Sequence, residues 1–571
     1  MTLLMPSPQK EKTYLYVRTW DKFLESVKAL QQYVDETPKP RLALDVETYW
    51  LVPPIEDAAP RPILNNGMYE GVVKTIQIGL PPDVEDLQYV FDAEFLEDSI
   101  SRRKEMGDLL RPILEKAIIF GHSLQYEFQF MWALYNIRLR QFRDVRFINA
   151  VLNAGNKSMR NNLGKLYDEY LDPHFFKAYT GMYQGQYESY KSRMQKSNWR
   201  GELSEEQLTY AAHDASQLIF ELYDRMTETH EEKSVDVFME KYEKKNKYGQ
   251  SVTNIITLEW SLIPIFAMLE MRGIQYDLKH HQGVVAFLKE NMAEHQKIVE
   301  KYFTKSVIKS NGLRGKARIT WEEQECININ AWQQVLPALR SIGIDLPNYQ
   351  EETMQKALED YEHEVIPALV AYKKASSMLS KYGNKMPQYV KSTGRIHPSW
   401  HQLGGDQGID TGRSSCTDPP LMTIPIRDEV AGRQTSELFR KPFIARPGHV
   451  FIDADYSQIE PRVMAYVCND EKLKEVYKDE NNIDRHALTA KFMFGLDYLP
   501  TDDADPFRKA GKEYNLGSTY GMGLEKSASK IERATKGKIK LTRDEMREKR
   551  DAYYGELKGL KRMQDEISFT T

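Results

Sequence analysis

The 571 residues carry 78 lysines and arginines against 83 aspartates and glutamates, a formal net charge of −5. This excludes a protein that coats nucleic acid by bulk positive charge, but not one that grips it through local basic surfaces. With 41% hydrophobic, 28% charged and 11% aromatic residues, disordered, collagenous and disulfide-scaffold chains are excluded, and the length suggests about three to five domains.

The N-terminus MTLLMPSPQKEK lacks a secretory pattern. Residues 13–48 read as strand, amphipathic helix (Trp20 to Val34) and strand, the last ending in Asp45-Val46-Glu47. Further strands are predicted at Lys74–Leu80, Leu87–Phe91 and Ile118–Phe120, and helices at Met106–Glu115 and Tyr126–Leu134. Strands alternating with helices predict an α/β domain. It closes with one helix from an N-cap at Leu203-Ser204-Glu205-Glu206 to about Thr227.

Asp45 and Glu47, two residues apart on a strand, share one face. Two carboxylates there repel unless a cation neutralises them. Alone, Asp-x-Glu is expected about twice by chance in such a chain and reads as surface charge. Two further segments change this: Gly121-His122-Ser123-Leu124-Gln125-Tyr126-Glu127 after an apolar strand, and Tyr210-Ala211-Ala212-His213-Asp214 in an apolar helix. Spacing i, i+4 places Tyr210 and Asp214 on one helical face. A tyrosine hydroxyl beside a carboxylate that holds a metal suits two-metal phosphodiester hydrolysis.

These segments resemble the three motifs of the DEDDy 3′–5′ exonucleases, the proofreading domain of family A DNA polymerases. The resemblance implies an RNase H-like fold. It implies Asp45, Glu47, Glu127 and Asp214 as metal ligands and Tyr210 as the residue that positions the attacking water. Asp144 matches a segment between the second and third motifs. The chain departs from the family's Asn-x-x-x-Asp second motif, with Ser123 and Glu127 at those positions. Glu127, one methylene longer than Asp, is expected to reach a metal directly or through water, with lowered activity.

Residues 229–250 are very polar and predict a linker. Residues 251–393 are α-rich, with amphipathic patterns at Ile255–Met271, Leu278–Tyr302 and Ile366–Tyr382. Gly-rich loops at 394–413 precede a predicted strand, His449-Val450-Phe451-Ile452, that ends in Asp453-Ala454-Asp455. Asp455-Tyr456-Ser457-Gln458-Ile459-Glu460-Pro461-Arg462 then pairs a carboxylate at a strand end with a helix start that offers free N–H groups to anions.

This octad closely resembles motif A of family A DNA polymerases. Thr411-Gly412-Arg413-Ser414-Ser415 and Ile424-Pro425-Ile426-Arg427 resemble its palm segments, and Asp484-Arg485-His486 resembles its Asp-x-His. Arg508, Lys512, Leu516 and Tyr520, four apart on one helical stripe, resemble motif B of the fingers. Two cations one turn apart suit a triphosphate.

By that resemblance Asp455 and the Tyr456 carbonyl hold catalytic metals. Arg508, Lys512 and His486 hold the triphosphate, with Lys512 a candidate proton donor. Gln458, Glu460, Leu516 and Tyr520 line the nucleotide site, and Arg413 and Arg427 contact DNA. Residues 525–562 carry 13 lysines and arginines against 7 acidic residues; a solvated helix face and a binding surface are equal readings.

Phosphoryl transfer with two metals needs a second strong carboxylate beside Asp455. In the family it lies in motif C, His-Asp-Glu, and no such triplet follows Gly521. A palm lacking that hairpin should expose apolar surface and unpaired strand edges.

The expectation is therefore an α/β exonuclease domain (1–228), a linker (229–250), an α-rich thumb (251–393), a partial palm (394–470) and helical fingers (471–571). It acts as a proofreading DNA polymerase subunit on primer-template DNA and dNTPs. A second, C-terminal polymerase subunit is expected to carry motif C, as in a split polymerase, with a truncated chain as the alternative. No 5′-nuclease domain is expected, as in many phage-type replicases. Two Mg²⁺ per active site are expected, with Mn²⁺ as a substitute. The three cysteines, Cys326, Cys416 and Cys468, form no metal-ligand pairs and point to a reducing compartment. Without a run of about 18 apolar residues no membrane partner is expected, and the location expected is cytoplasmic, that of a bacterial host if phage-encoded. The competing reading is a 3′–5′ exonuclease whose polymerase-like half only binds DNA. An interaction scaffold would leave both acidic sets without a role.

Overall fold

The computed structural model describes residues 14–50, 71–153, 161–182, 184–227, 252–303, 313–314, 317–318, 327–391, 393–402, 412–426, 429–456, 458–478, 483–518 and 521–570. The chain divides into two compact units, 1–451 and 452–571.

The first unit begins with β1 (Tyr14–Val17), α1 (Trp20–Glu36), β2 (Arg41–Trp50), β3 (Gly71–Gly79) and β4 (Gln88–Asp92). After α2 (Ala93–Leu96) and α3 (Ile100–Lys116) come β5 (Ile118–Gly121), α4 (Gln125–Tyr135), β6 (Gln141–Asp144) and α5 (Val145–Leu152). The six strands form one sheet in the order β1-β4-β3-β2-β5-β6, with β3 antiparallel to both neighbours and the other pairs parallel. Central β2 reads Leu42-Ala43-Leu44, all buried, because helices cover both faces of such a sheet.

Helices α6 (Leu163–Tyr170), α7 (Pro173–Thr180) and α8 (Gln184–Gln195) precede α9 (Glu205–Asp214) and α10 (Gln217–Thr227). Ser204 N-caps α9 in a capping box with Gln207. The single helix expected over 205–227 is two. The chain breaks at Ala215-Ser216, where the Ser216 hydroxyl donates to the His213 carbonyl over 2.7 Å. The break brings the Ala215 carbonyl against Gly79 on β3, where an added Cβ would lie 1.8 Å from that oxygen, so only glycine admits the approach. The predicted linker, 229–250, lies wholly outside the described residues.

Helix α11 (Val252–Arg272) leads to β7 (Ile274–Tyr276) and α12 (Leu278–Phe303). By length and apolarity Thr253–Arg272 could cross a membrane. It joins the core around the six-stranded sheet through Ile256, Trp260, Ile263 and Ala267. Its polar groups are also paired: Trp260 Nε1 donates to the Asp144 carbonyl over 3.1 Å, and Gln402 Nε2 donates to Glu259 Oε2 over 3.0 Å. Helices α13 (Trp332–Ser341), α14 (Glu351–Asp360) and α15 (Val365–Met378) enclose a second core with the end of α12. Short strands β8 (Arg395–Ile396) and β9 (Ser399–His401) follow. Strand β8 pairs with β7.

The second unit is helical: α16 (Ile459–Val467), α17 (Glu471–Val476), α18 (Arg485–Phe494), α19 (Pro506–Ser518), α20 (Leu524–Ala534), α21 (Arg543–Glu556) and α22 (Lys558–Thr570). Its core includes Ala465, Leu473, Met493, Ala510, Tyr514, Ile531 and Tyr553. Residues 459–470, expected in the partial palm, pack into this core. Gly511 lets α19 lie on α18, since a Cβ there would meet the His486 carbonyl at 2.3 Å.

The strand expected at His449–Ile452 does not form. The segment is irregular, with Val450, Phe451 and Ile452 exposed by 82%, 61% and 88%. Among the described residues no strand lies beside it to accept its backbone hydrogen bonds, and without a ladder the apolar sequence cannot settle into a sheet.

Candidate active site

Asp45 and Glu47 stand on β2 opposite Gln77 and Thr75 of β3, just before a register shift between Glu47 and Thr48. Asp214 enters from the last turn of α9. The ligating oxygens of Asp45, Glu47 and Asp214 all lie within 4.8 Å of one another, the only such group of three or more among the described residues.

Burial sets the electrostatics. It pushes the Asp45 carboxyl well above the ordinary range, and the Asp214 charge pushes it further. Glu47 is raised by burial and then by Asp45 and Asp214. Lys191 on α8 opposes both shifts.

Glu127, on the first turn of α4, is buried. Its carboxyl is raised first by burial and then by Asp45. It stands beside the three-carboxylate group rather than within it. Asp45 Oδ2 and Glu127 Oε2 are buried with no hydrogen-bond partner. Buried acceptors of this kind are costly unless a cation meets them. The donor set is oxygen only, acidic and convergent, which fits a hard divalent cation.

Tyr210 is buried, and Asp214 lies within hydrogen-bonding reach of it. Burial, and then the Asp214 charge, keep its phenol protonated. Asp144 proves to be a local organiser. Buried at the N-cap of α5, it accepts the backbone N–H of Ser123 over 3.1 Å and of Leu124 over 2.8 Å. That fixes the turn leading into α4 and so the start of the helix that carries Glu127. His122 is held neutral, lowered by burial to about 3, and its Nε2 meets the Asn161 carbonyl at 2.6 Å.

Sequence reading missed Tyr187 on α8, whose hydroxyl donates to Asp214 Oδ1 over 2.9 Å. The apolar i, i+3, i+7 stripe of Tyr187, Tyr190 and Met194 was a signal for that helix.

In the second unit Asp484 N-caps α18, accepting from the backbone of His486 and Ala487 over 2.8 and 3.1 Å. It also pairs with Arg508 Nε at 2.7 Å, and Asp503 pairs with the same guanidinium. The half-buried His486 is lowered by burial, while Asp484 opposes the shift; Arg508 and Lys512 lower it further. Arg508, His486 and Lys512 are thus brought to one region, with Lys512 exposed. Asp455, Tyr456, Gln458 and Glu460 are exposed around the irregular segment and the start of α16. Gln458 takes a left-handed φ of 53° ahead of that helix. Arg413 is exposed in the first unit. Arg427, Tyr520 and the Leu516 side chain lie outside what is described. The basic 525–562 segment forms α20, α21 and the start of α22, with exposed pairs such as Lys540–Glu532 and Arg547–Asp544, as in a solvated face.

Residues 301–570 match the DNA polymerase family A, and residues 68–231 match a 3′-5′ exonuclease domain. Among curated proteins, DNA polymerase I of Caldicellulosiruptor bescii is 31% identical over 274 residues, covering 46% of this chain and 28% of that protein. The thermostable DNA polymerase I of Thermus filiformis is 36% identical over 196 residues, covering 34% of this chain and 22% of that protein. The chain thus spans about a quarter of the length of these relatives. A solved structure of the POL domain of Pol1 from M. smegmatis, in complex with DNA primer-template and dNTP, has the same fold. Its TM-score is 0.63 at 17% identity, covering 95% of this chain and 77% of that one. Together these matches place a family A DNA polymerase region at residues 301–570 and a 3′–5′ exonuclease domain at residues 68–231.

Proposed function

We propose that this chain trims DNA from 3′ ends at the Asp45–Glu47–Asp214 site and supplies most of a template-directed polymerase site in its second half. The observation that carries the first part is the convergence of those three carboxylates within 4.8 Å, beside two buried and unpartnered acceptor oxygens. Asp45, Glu47 and Asp214 would hold divalent cations, Mg²⁺ by the oxygen chemistry, with Glu127 adding charge beside Asp45. Such cations, when bound, neutralise the acidic cluster and polarise the phosphate.

The chain's own groups do the rest. The protonated Tyr210 hydroxyl holds the attacking water by a hydrogen bond. Attack forms a new P–O bond at the terminal phosphodiester and breaks the bond to the 3′ oxygen. A nucleoside 5′-monophosphate leaves, and the shortened strand keeps a 3′-hydroxyl. The test is degradation of a 5′-labelled single-stranded oligonucleotide in Mg²⁺, expected for the wild type and lost in Asp45→Ala. A variant that still degrades the strand overturns the assignment.

For the polymerase half, Arg508 and Lys512 with His486 would bind the triphosphate, Asp455 and the Tyr456 carbonyl the metals, and Arg413 and Arg427 the DNA. The second polymerase carboxylate, in our reading, comes from another polypeptide that seats strands against Val450–Ile452. The exposure of that apolar segment supports it. Primer extension by this chain mixed with a polypeptide carrying the His-Asp-Glu hairpin tests it; no extension overturns it. One observation favours a nuclease whose second half only binds DNA: among the described residues no second acidic cluster forms around Asp455. That reading predicts trimming with no extension under any mixture. A cytoplasmic location is part of the proposal, resting on the sparse cysteines.

A further inference from the structure

Asp214 differs from its partners in how it is held. Asp45 and Glu47 are fixed by a strand in the middle of a sheet, whereas Asp214 ends a helix whose next residue breaks helical geometry, with Ala215 at φ −113° and ψ 29°. A carboxylate at a helix end needs other restraints on its rotamer. Tyr187 supplies one. Its hydroxyl donates to Asp214 Oδ1 over 2.9 Å, both groups being buried.

Tyr187 is itself immobilised by aromatic edges. Its ring meets Phe176 at 5.5 Å and 86° and Tyr167 at 5.6 Å and 72°, and Tyr190 lies 6.2 Å away. Helices α6, α7 and α8 therefore form an aromatic backing from which the Tyr187 hydroxyl meets the one member of the acidic cluster that ends a helix.

We propose that Tyr187 is a positioning residue for the metal site: its hydroxyl holds the Asp214 carboxylate in the rotamer that meets Asp45 and Glu47. The inference rests on the exonuclease reading and goes beyond its motif residues, since Tyr187 lies in none of them. Hydrogen bonds to carboxylate ligands orient them, and their loss typically weakens metal binding by roughly 10–100-fold.

The experiment titrates Mn²⁺ into the metal-free full chain, followed by the electron paramagnetic resonance of the free ion. Wild type, Asp45→Ala, Tyr187→Phe and Phe176→Leu are compared, with the melting temperature of each. Tyr187→Phe should keep its metal-free melting temperature and weaken the Asp45-dependent Mn²⁺ site by roughly tenfold. Exonuclease turnover at saturating metal should stay within about twofold of wild type. Phe176→Leu loosens the same aromatic backing but keeps the hydroxyl, and should leave Mn²⁺ affinity nearly unchanged. Equal Mn²⁺ affinity in wild type and Tyr187→Phe overturns the inference, and so does an equal loss in Phe176→Leu. Absence of any Mn²⁺ site that Asp45→Ala removes overturns the nuclease reading itself and is recognisable as such.

Discussion

The side-chain amide of Gln129 donates to Glu270 Oε2 over 2.6 Å, and Gln129 lies two residues beyond Glu127 on the same helix. The other oxygen of Glu270 accepts the Trp400 N–H over 2.6 Å. One buried carboxylate on α11 thus ties the helix that carries Glu127 to strand β9.

Burial pushes Glu270 up to about 7, with the hydrogen bonds from Trp400 and Gln129 opposing the shift. The folded state therefore binds this proton more tightly than the unfolded chain does. Its contribution is fully present below about pH 4.3, the ordinary Glu value, and is lost as pH rises through about 7. The loss is of order 4 kcal/mol at most. Glu270→Gln should flatten this part of the stability–pH curve, measured by urea unfolding at pH 5 and pH 8. An unchanged slope contradicts the assignment.

Glu127 is raised by burial and then by the Asp45 charge, and Asp45 by burial and then by the Asp214 charge. The sign is the same: without metal, their contribution falls as pH rises above the carboxylate range. Glu127→Gln should raise the metal-free melting temperature by about 2–4 °C at pH 8 and leave it unchanged near pH 4. It should also lower 3′-end degradation. A metal-free Glu127→Gln protein less stable than wild type at pH 8 would show that the carboxylate is held by something other than a cation.

Ser123 occupies a left-handed conformation, φ 64°, in which its N–H meets Asp144. Asparagine, the residue usual at this position in the resembling motif, tolerates that region better. Ser123→Asn should therefore stabilise the chain by roughly 0.5–1 kcal/mol without loss of nuclease activity. Destabilisation, read by thermal melting, would contradict the backbone account.

Much of the site was legible because local chemistry fixes it. A period of two puts Asp45 and Glu47 on one strand face, and a turn of helix puts Tyr210 beside Asp214. Leu42–Leu44 and Ile118–Phe120 read as strands since their neighbours in the sheet exist. Val450–Ile452 has the same apolar character and fails, because a strand is a property of two segments and not of one. Tyr187 was illegible for a related reason: its contact spans 27 residues and depends on three short helices packing together. The split of α9 from α10 at Ala215 is decided by Gly79, far away in sequence.

In the polymerase half, Leu516 stands where the resembling motif usually has an aromatic residue. Under the proposed split-polymerase reading, Leu516→Phe should change dideoxynucleotide incorporation by the chain mixed with its proposed partner, read from termination ladders; identical ladders would count against the motif assignment. Arg508→Ala should weaken dNTP binding about tenfold or more, since it removes the proposed triphosphate partner, a guanidinium that Asp484 holds at 2.7 Å.

The central claim, that Asp45, Glu47 and Asp214 form a divalent-cation site, is tested most directly by anomalous diffraction from a crystal of the chain soaked in Mn²⁺. The account predicts an anomalous peak about 2.0–2.4 Å from carboxylate oxygens of all three residues, absent from Asp45→Ala crystals. Diffraction with no peak there, or with the three carboxylates turned apart around water alone, would contradict it.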